Sequence, residues 1–480
     1  MRIHRRELLG ALGLASSSTL LWALGCGASQ PPIRRAPQVS GEVRTWLHDA
    51  VARLIAVYPT VHALAVSRRR TAAALDALGP GIARLRTDGV VFTVRRPDGT
   101  VREHVTSDLT AAGIDDAVTA LGAPRQRKSL DFGRPPPTPD EPPRLDDRDL
   151  RRRVELLQRD ASASSRIVYA ATLIDVDDAI LWSVAPRRDL EQRLVRIRQS
   201  VTCGAWNGTR PVLRHSERVC AGWLDDQPLT PADIAAARDA ALQLMTPGTL
   251  DDADRTLVLD PTVAALLLDT AACHLLTSAV SRRPAVARRA ALDTHLASSA
   301  VTLVDDPTAP AAYGGFTFDD EGELAAPLTL LDAGRIAARL TDHAGGGAGR
   351  GRRPDHLALV SPSPSHLQLT PGPLDAPQLY TDGFALEGAL GVSYDPDTDR
   401  LRLSCARARE LKAGSETGRI YPDVELIGSL STLLTAIDAV ARDPLTVAAP
   451  TSSDDATSWR SISTPAIRTR GFLRARRDLA

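Results

Sequence analysis

Cys273 and His274 stand side by side in a stretch, Pro261 to Ala279, whose apolar spacing predicts a helix. A thiol beside an imidazole is the pairing used in nucleophilic catalysis. Consecutive residues on a helix diverge by about 100°, so this imidazole would not face this thiol. A reactive cysteine also needs an electropositive, accessible setting, and the neighbouring sequence supplies none. Ala271, Ala272 and Cys273 are therefore expected to pack in the core, where free cysteines commonly sit. His343, His356 and His366 follow at spacings of 13 and 10 residues, which match no metal motif, and three unrelated surface histidines are expected. Gly345-Gly346-Gly347 and the run from Gly349 to Gly351 lack the Lys-Ser/Thr of a phosphate-binding loop and read as a mobile loop. Asp305, Asp306, Asp319, Asp320 and Glu321 suit calcium by charge, yet acids at strand ends are usually turn formers and caps. Cys203 and Cys220 are candidates for a disulfide in an oxidising compartment. The Asn207-Gly208 hairpin signal would set Cys203 opposite Val212, so the connectivity stays open.

The N-terminus carries a different kind of signal. Arg2, His4, Arg5 and Arg6 precede an apolar run from Leu8 to Gly25 that ends at Cys26. A charged start, an apolar middle and a small residue before a cut site describe a secretory signal. The pair Arg5-Arg6 points to the twin-arginine route. Residues 1–25 are thus expected to be an export signal, with Cys26 placed for acylation as a lipoprotein cysteine. Ala23 stands where leucine is usual, so an ordinary signal peptidase is the other reading, and an uncleaved anchor ranks third because the run is short for a bilayer. The expected location is the periplasm or cell envelope, with the membrane involved only through a lipid at Cys26.

These residues need elements to hold them. After a Pro-containing tether (26–41), Val43, Trp46, Leu47, Val51, Leu54 and Ile55 fall on one helical face. Strands are predicted at Val90 to Val94 and Val101 to Val105, and a helix over Ala111 to Leu121 capped by Asp108 or Thr110. Residues 42–123 make the first part of an N-terminal domain. Residues 124–149 hold seven prolines and no period and read as an exposed loop or linker. The second part, 150–250, opens on a helix from Leu150 to Gln158. Ile167 to Val176 and Ala179 to Val184 read as paired strands, and Leu194 to Ala205 as a third. Thr230-Pro231 starts another helix. Residues 251–480 contain the strand Thr256 to Leu259, the helix carrying Asp269 and His274, then short strands, an amphipathic helix within Leu426 to Val440, and a basic final strand. The order of elements argues for α+β: a mixed N-terminal domain and a β-rich C-terminal one.

Composition constrains the partners. The 480 residues carry no formal net charge, so nothing electrostatic recommends nucleic acid. Hydrophobic residues at 43% are ordinary for a globular protein.

From about residue 42 to residue 477 the chain resembles the TldD/PmbA family. The resemblance is densest in Val301-Thr302-Leu303-Val304-Asp305-Asp306, Gly314-Gly315-Phe316-Thr317-Phe318-Asp319-Asp320-Glu321-Gly322 and Leu331-Asp332-Ala333-Gly334-Arg335. It continues through Pro364-Ser365-His366-Leu367, Leu426-Ile427-Gly428 and Thr464-Pro465-Ala466-Ile467-Arg468. Each piece alone is generic, but their order and spacing are specific. The resemblance implies a zinc peptidase built on H-E-x-x-x-H before the Asp-Asp strand, with a cysteine in the C-terminal segment as third ligand and the glutamate as general base.

The matching six residues here are Asp269-Thr270-Ala271-Ala272-Cys273-His274. Only His274 of the ligand pair remains, and Thr270 stands in place of the base. No cysteine occurs from Pro444 to Ala480. Zinc is therefore expected to be absent and peptide hydrolysis lost. The resemblance also implies assembly with another family subunit or with a second copy as a dimer, and a groove for extended or unfolded polypeptide. The alternative is a metallopeptidase with a rearranged site using Asp269, His274 and a distant residue.

Overall fold

The computed structural model describes residues 41–77, 79–124, 128–133, 146–206, 211–243, 250–449 and 459–476. The predicted export signal, Arg5, Arg6, Cys26 and most of the tether lie outside the described residues. No helix among those described is long and apolar enough to cross a membrane.

The N-terminal half is one antiparallel sheet of long strands dressed with helices. Helix α1 (Gly41–Leu54) is followed by β1 (Thr60–Asp76), β2 (Gly79–Arg95), β3 (Val101–Thr106) and α2 (Ala111–Ala120). Then come α3 (Asp147–Ala161), β4 (Ile167–Ala185), β5 (Arg188–Trp206), β6 (Pro211–Ala221) and α4 (Pro231–Leu242). Strand order is β3-β2-β1-β4-β5-β6. The amphipathic face of α1 buries Val43, Leu47, Val51 and Leu54 with α2 against Val61, Ala63, Ala65, Phe92 and Val184. Alternate residues of the same strands point the other way. On that second face Leu64, Val66, Ala179 and Leu181 pack against Phe318 of the C-terminal half. The sheet is therefore covered on both sides.

Several expectations change here. The predicted pair Ile167 to Val176 and Ala179 to Val184 is one continuous strand, because Asp177-Asp178 makes no turn. Asp177 is instead fully buried on the face that meets the C-terminal half. β1, with its run of Arg68-Arg69-Arg70, has no counterpart in the sequence reading. Trp206 pairs with Pro211 and Cys203 with Arg214, not with Val212, because four residues rather than two separate the strands. Cys203 and Cys220 are both free and buried, Cys220 lying opposite Ile197. The stretch 124–149 is not all exposed linker: Lys128 donates its backbone N–H to Ala52 at 3.1 Å, Phe132 stacks on His48 at 4.1 Å, and α3 already starts at Asp147. Thr110 does cap α2, accepting from Gly113 N–H. Thr230 and Asp233 form a reciprocal capping box on α4.

The C-terminal half begins with β7 (Ala253–Leu259), α5 (Pro261–Leu275) and α6 (Pro284–Arg289). Short strands follow: β8 (Leu303–Asp305), β9 (Leu328–Asp332), β10 (Arg335–Ile336), β11 (Gly351–Arg352), β12 (Ser361–Pro362) and β13 (His366–Leu369). Three long ones come next, β14 (Gly383–Asp395), β15 (Arg400–Lys412) and β16 (Ser415–Ser429), then α7 (Leu430–Thr435). The chain ends with β17 (Ala439–Val440), β18 (Leu445–Ala448), β19 (Ser461–Thr464) and β20 (Ile467–Ala475). β7, β14, β15, β16 and β20 close into a barrel, because β20 pairs with both β7 and β16. A second sheet runs β10-β9-β8-β13-β19-β18. The architecture is α+β, as the element order predicts.

Candidate functional site

Helix α5 sits on the barrel and carries the positions that the family's zinc motif would occupy. Its start is fixed from three directions. Asp260 caps it, accepting from Val263 N–H at 2.8 Å and from Thr262 Oγ1 at 2.7 Å. The same side chain takes Gly388 N–H of β14 at 3.0 Å, and Pro261 occupies the first turn. From Val263 to Ala272 every residue is buried, so the helix is held by burial on nearly all sides.

Four residues on this helix decide the chemistry. Asp269 and Cys273, one helical turn apart, share a face. The Cys273 thiol donates to Asp269 Oδ1 at 3.7 Å. Arg460, just before β19, reaches both: Nη1 donates to Cys273 Sγ and Nη2 to Asp269 Oδ2, each at 3.3 Å. Both charged side chains of this ion pair are more than nine-tenths buried. Thr270 is also buried, and its hydroxyl donates back to Leu266 O at 2.7 Å, the local bond a threonine makes in mid-helix. His274 lies on the exposed side of the helix and its ring tilts against Tyr394 at 5.2 Å. Partial desolvation lowers its imidazole pKa below the ordinary range, Asp269 pulling the other way.

Zinc, which the family resemblance implies, does not fit these residues. The carboxylate nearest the site is already neutralised by a guanidinium, and the same guanidinium touches the thiol. Thr270 offers neither a carboxylate for general-base work nor a free hydroxyl. Among the described residues no three His, Cys, Asp or Glu side chains form a group that could hold a metal ion.

The sequence reading placed Cys273 in the core without an electropositive neighbour. Instead Cys273 is half-buried and in contact with Arg460, so that expectation is corrected. Arg460 is the residue the sequence reading missed. It lies in the C-terminal segment where the resemblance expects a cysteine ligand, one of six arginines from Pro444 to Ala480 with no local signal that marks it.

The other candidates separate. His356 and His366 are buried rather than on the surface. His366 Nδ1 shares a 2.8 Å hydrogen bond with Ser461 Oγ, and His356 Nε2 shares one of the same length with Ser107 Oγ. His343 alone is exposed, between Glu321 and Glu323. Asp319 accepts backbone N–H groups of Glu321, Glu323 and Gly351, a turn former as predicted. Asp305 goes further, taking Ser365 and His366 N–H groups while pairing with Arg350. The glycine loop is tied down at its base, with Asp342 Oδ1 accepting from Gly345 N–H at 2.6 Å.

The chain is similar to known proteins in sequence and in fold. Residues 253–475 match the family profile described as PmbA/TldA metallopeptidase C-terminal domain. The chain is 24% identical to a metalloprotease of Methanocaldococcus jannaschii over 223 residues, 43% of this chain and 48% of that protein. It is 22% identical to a metalloprotease of Methanothermobacter thermautotrophicus over 348 residues, 70% of this chain and 74% of that protein. The match thus spans about half the length of the first relative. Among solved structures, a candidate modulator of a DNA gyrase from Thermotoga maritima superposes with a TM-score of 0.73 at 15% identity, covering 90% of this chain and 99% of that one. TldE from Thermococcus kodakarensis gives 0.69 at 13% identity, covering 90% and 100%. These two likenesses concern the fold, while the profile match covers the barrel, the site helix and Arg460 together: residues 253–475 form a C-terminal domain of the PmbA/TldD family.

Proposed function

We propose that this chain is an exported TldD/PmbA-family protein that no longer hydrolyses peptides, and that it holds extended polypeptide or supports a zinc-bearing family subunit. The observation carrying this reading is the contact of Arg460 with both Asp269 and Cys273. A guanidinium in that place repels a divalent cation and engages the donors a metal would need, while Thr270 cannot activate water. Zinc content and peptidase activity of the purified protein test it together. The expected result is less than stoichiometric zinc and no cleavage of unfolded peptides. About one zinc per chain, lost on His274→Ala, would instead establish the alternative, a metallopeptidase with a rearranged site.

Polypeptide binding is supported by the position of β18, an edge strand of the second sheet that packs beside α5. An edge strand can pair with an extended chain through backbone hydrogen bonds without catalytic residues. Part of that edge is already engaged, since Ala448 N–H donates to Glu217 of β6 at 3.3 Å. The partner is a second copy or another family subunit, and light scattering that finds only a monomer, with no family member or unfolded peptide captured, would refute this part. Export rests on Arg5, Arg6 and the junction at Cys26. Mass spectrometry of the mature N-terminus should show a chain beginning at or near Cys26. Cys26→Ser should abolish membrane partitioning if that cysteine is acylated.

A further inference from the structure

Far from α5 in sequence, the polar face of the N-terminal sheet meets the C-terminal half along a seam rich in arginine. Arg70 is matched there, gripping Asp175 through Nε at 2.9 Å and Nη2 at 2.7 Å. Arg198 is matched by Glu217 at 2.9 Å. The next cluster is matched only loosely, with one carboxylate, Asp177, shared by Arg68 and Arg196, and Asp320 3.7 Å from Arg352 Nε. Asp177 lies 3.5 Å from Arg68 Nε and 3.6 Å from Arg196 Nη1, too far for a hydrogen bond to either. Arg196 stands over the Trp459 ring at 5.7 Å, and Arg352 stacks on Phe316 at 4.4 Å.

Both carboxylate oxygens of Asp177, together with Arg68 Nε, Arg196 Nη1, Arg352 Nη1 and Trp459 Nε1, have no hydrogen-bond partner among the described residues. Buried polar groups are almost always satisfied, and a concentration of orphans marks a missing partner. Four of these atoms are donors, and they belong to three guanidinium groups and an indole. Only one carboxylate stands among them.

We propose that this seam binds a small oxyanion, held by Arg68, Arg196, Arg352 and the Trp459 indole N–H. Guanidinium groups are suited to oxyanions because their N–H groups match the oxygen geometry. The surplus of positive charge is felt within the cluster. Burial lowers the Arg196 pKa to about 9, and Arg352 and Arg68 add to the effect. Burial also makes Asp177 harder to ionise than an ordinary carboxyl, which weakens the nearest group that would repel an anion; Asp320, beside Arg352, is the other carboxylate next to these cations. The cluster is not sealed, since the Arg68 and Arg352 side chains keep 13% and 12% exposure. The anion has two sources of the same chemistry, free inorganic phosphate or sulfate, and the terminal carboxylate of a peptide.

Titration of the full chain with sodium phosphate, with a short peptide bearing a free C-terminus, and with the same peptide amidated, all at matched ionic strength, tests this. Saturable binding is read by calorimetry and by the shift in melting temperature. Binding of phosphate or of the free-carboxylate peptide, but not of the amide, is expected. Arg352→Gln, at the rim, should weaken it about tenfold, the scale of one charge-assisted hydrogen bond. Asp177→Asn should strengthen it, because the competing charge is gone. If no anion binds saturably beyond the effect of sodium chloride, or if Arg352→Gln binds as the parent does, the orphaned atoms are satisfied by water and the proposal is wrong. Asp177→Asn gives an independent check, because a purely structural ion pair predicts lower stability with no gain in anion binding.

Discussion

Arg460→Gln is the sharpest perturbation of the site. It keeps a polar but shorter side chain and removes the cation beside Asp269, whose carboxylate is almost completely buried. Breaking a buried ion pair by deleting one partner costs about 3–5 kcal/mol, mostly because the remaining charge stays desolvated and unpaired. The thiol of Cys273 remains as a weak donor to Asp269, which places the expected loss near the lower figure. For a domain of this size about 3 kcal/mol corresponds to a fall of roughly 6–12 °C in melting temperature. Urea denaturation and thermal melting at pH 7 measure it. The decisive variant is the double substitution Arg460→Gln with Asp269→Asn. With no charge left to bury, it should recover most of the loss, although each single change is destabilising. A double variant as unstable as the sum of the two singles would show that Arg460 and Asp269 are not coupled. The reading of Arg460 as the resident cation of the site would then fall.

Gly322 has φ +81° and a built Cβ would lie 2.4 Å from Ser183 Oγ, in the turn gripped by Arg188 at Gly322 O. Gly322→Ala should therefore lower stability by about 1–3 kcal/mol through strain and lost docking, measured by urea denaturation; an unchanged midpoint would refute the contact. Glu321 has its carboxyl pushed up to about 7 by burial, with Asp319 and Asp342 adding to the shift despite His343. Because the folded pKa exceeds the unfolded one, this group's contribution is full below about pH 4.5 and is lost as pH rises to about 7. Glu321→Gln should flatten that part of the stability–pH curve. Thr270→Glu alone should restore no peptidase activity, since a general base has no metal-bound water to act on at a site closed by Arg460; cleavage of an unfolded peptide by this variant would contradict the reading.

What the sequence made legible follows from the range of the interactions involved. The helix carrying Asp269 and His274 was readable because its cap at Asp260, Pro261 and its apolar run are local signals. The α1 face and the helix start at Thr230-Pro231 were readable for the same reason. β1 and the full length of the other long strands were not. In β1 and β4 the charged residues Arg68, Arg70, Asp175 and Asp177 stand between apolar runs, and Asp177-Asp178 reads in the sequence as a break between two strands. Their burial is decided by the C-terminal half docking on them, through contacts such as Arg196 Nε to Tyr313 O at 2.9 Å and Gln192 Nε2 to Phe318 O at 2.8 Å. His356 and His366 were misplaced on the surface for a related reason: their partners, Ser107 and Ser461, lie 249 and 95 residues away.

The same distinction explains how the site helix keeps its place with a guanidinium where a metal would be expected. Metal ligands contribute to folding where nothing else fixes the element that carries them. α5 is fixed independently, by its cap on β14 and by apolar residues buried in the core shared by the barrel and the second sheet, among them Leu267, Leu268, Ala271 and Leu275. What metal ligation would also supply is a cross-link between α5 and the C-terminal segment. Arg460 provides that link here, because its backbone O accepts from Ala449 N–H at 3.0 Å while its guanidinium holds Asp269 and Cys273. The connection survives with reversed demands: a zinc ion needs anionic and neutral donors arriving from both elements, whereas this arrangement brings the cation on one element and the acceptors on the other. Restoring a metal would consequently require removing Arg460 and adding donors on its strand, and no single substitution on α5 achieves both.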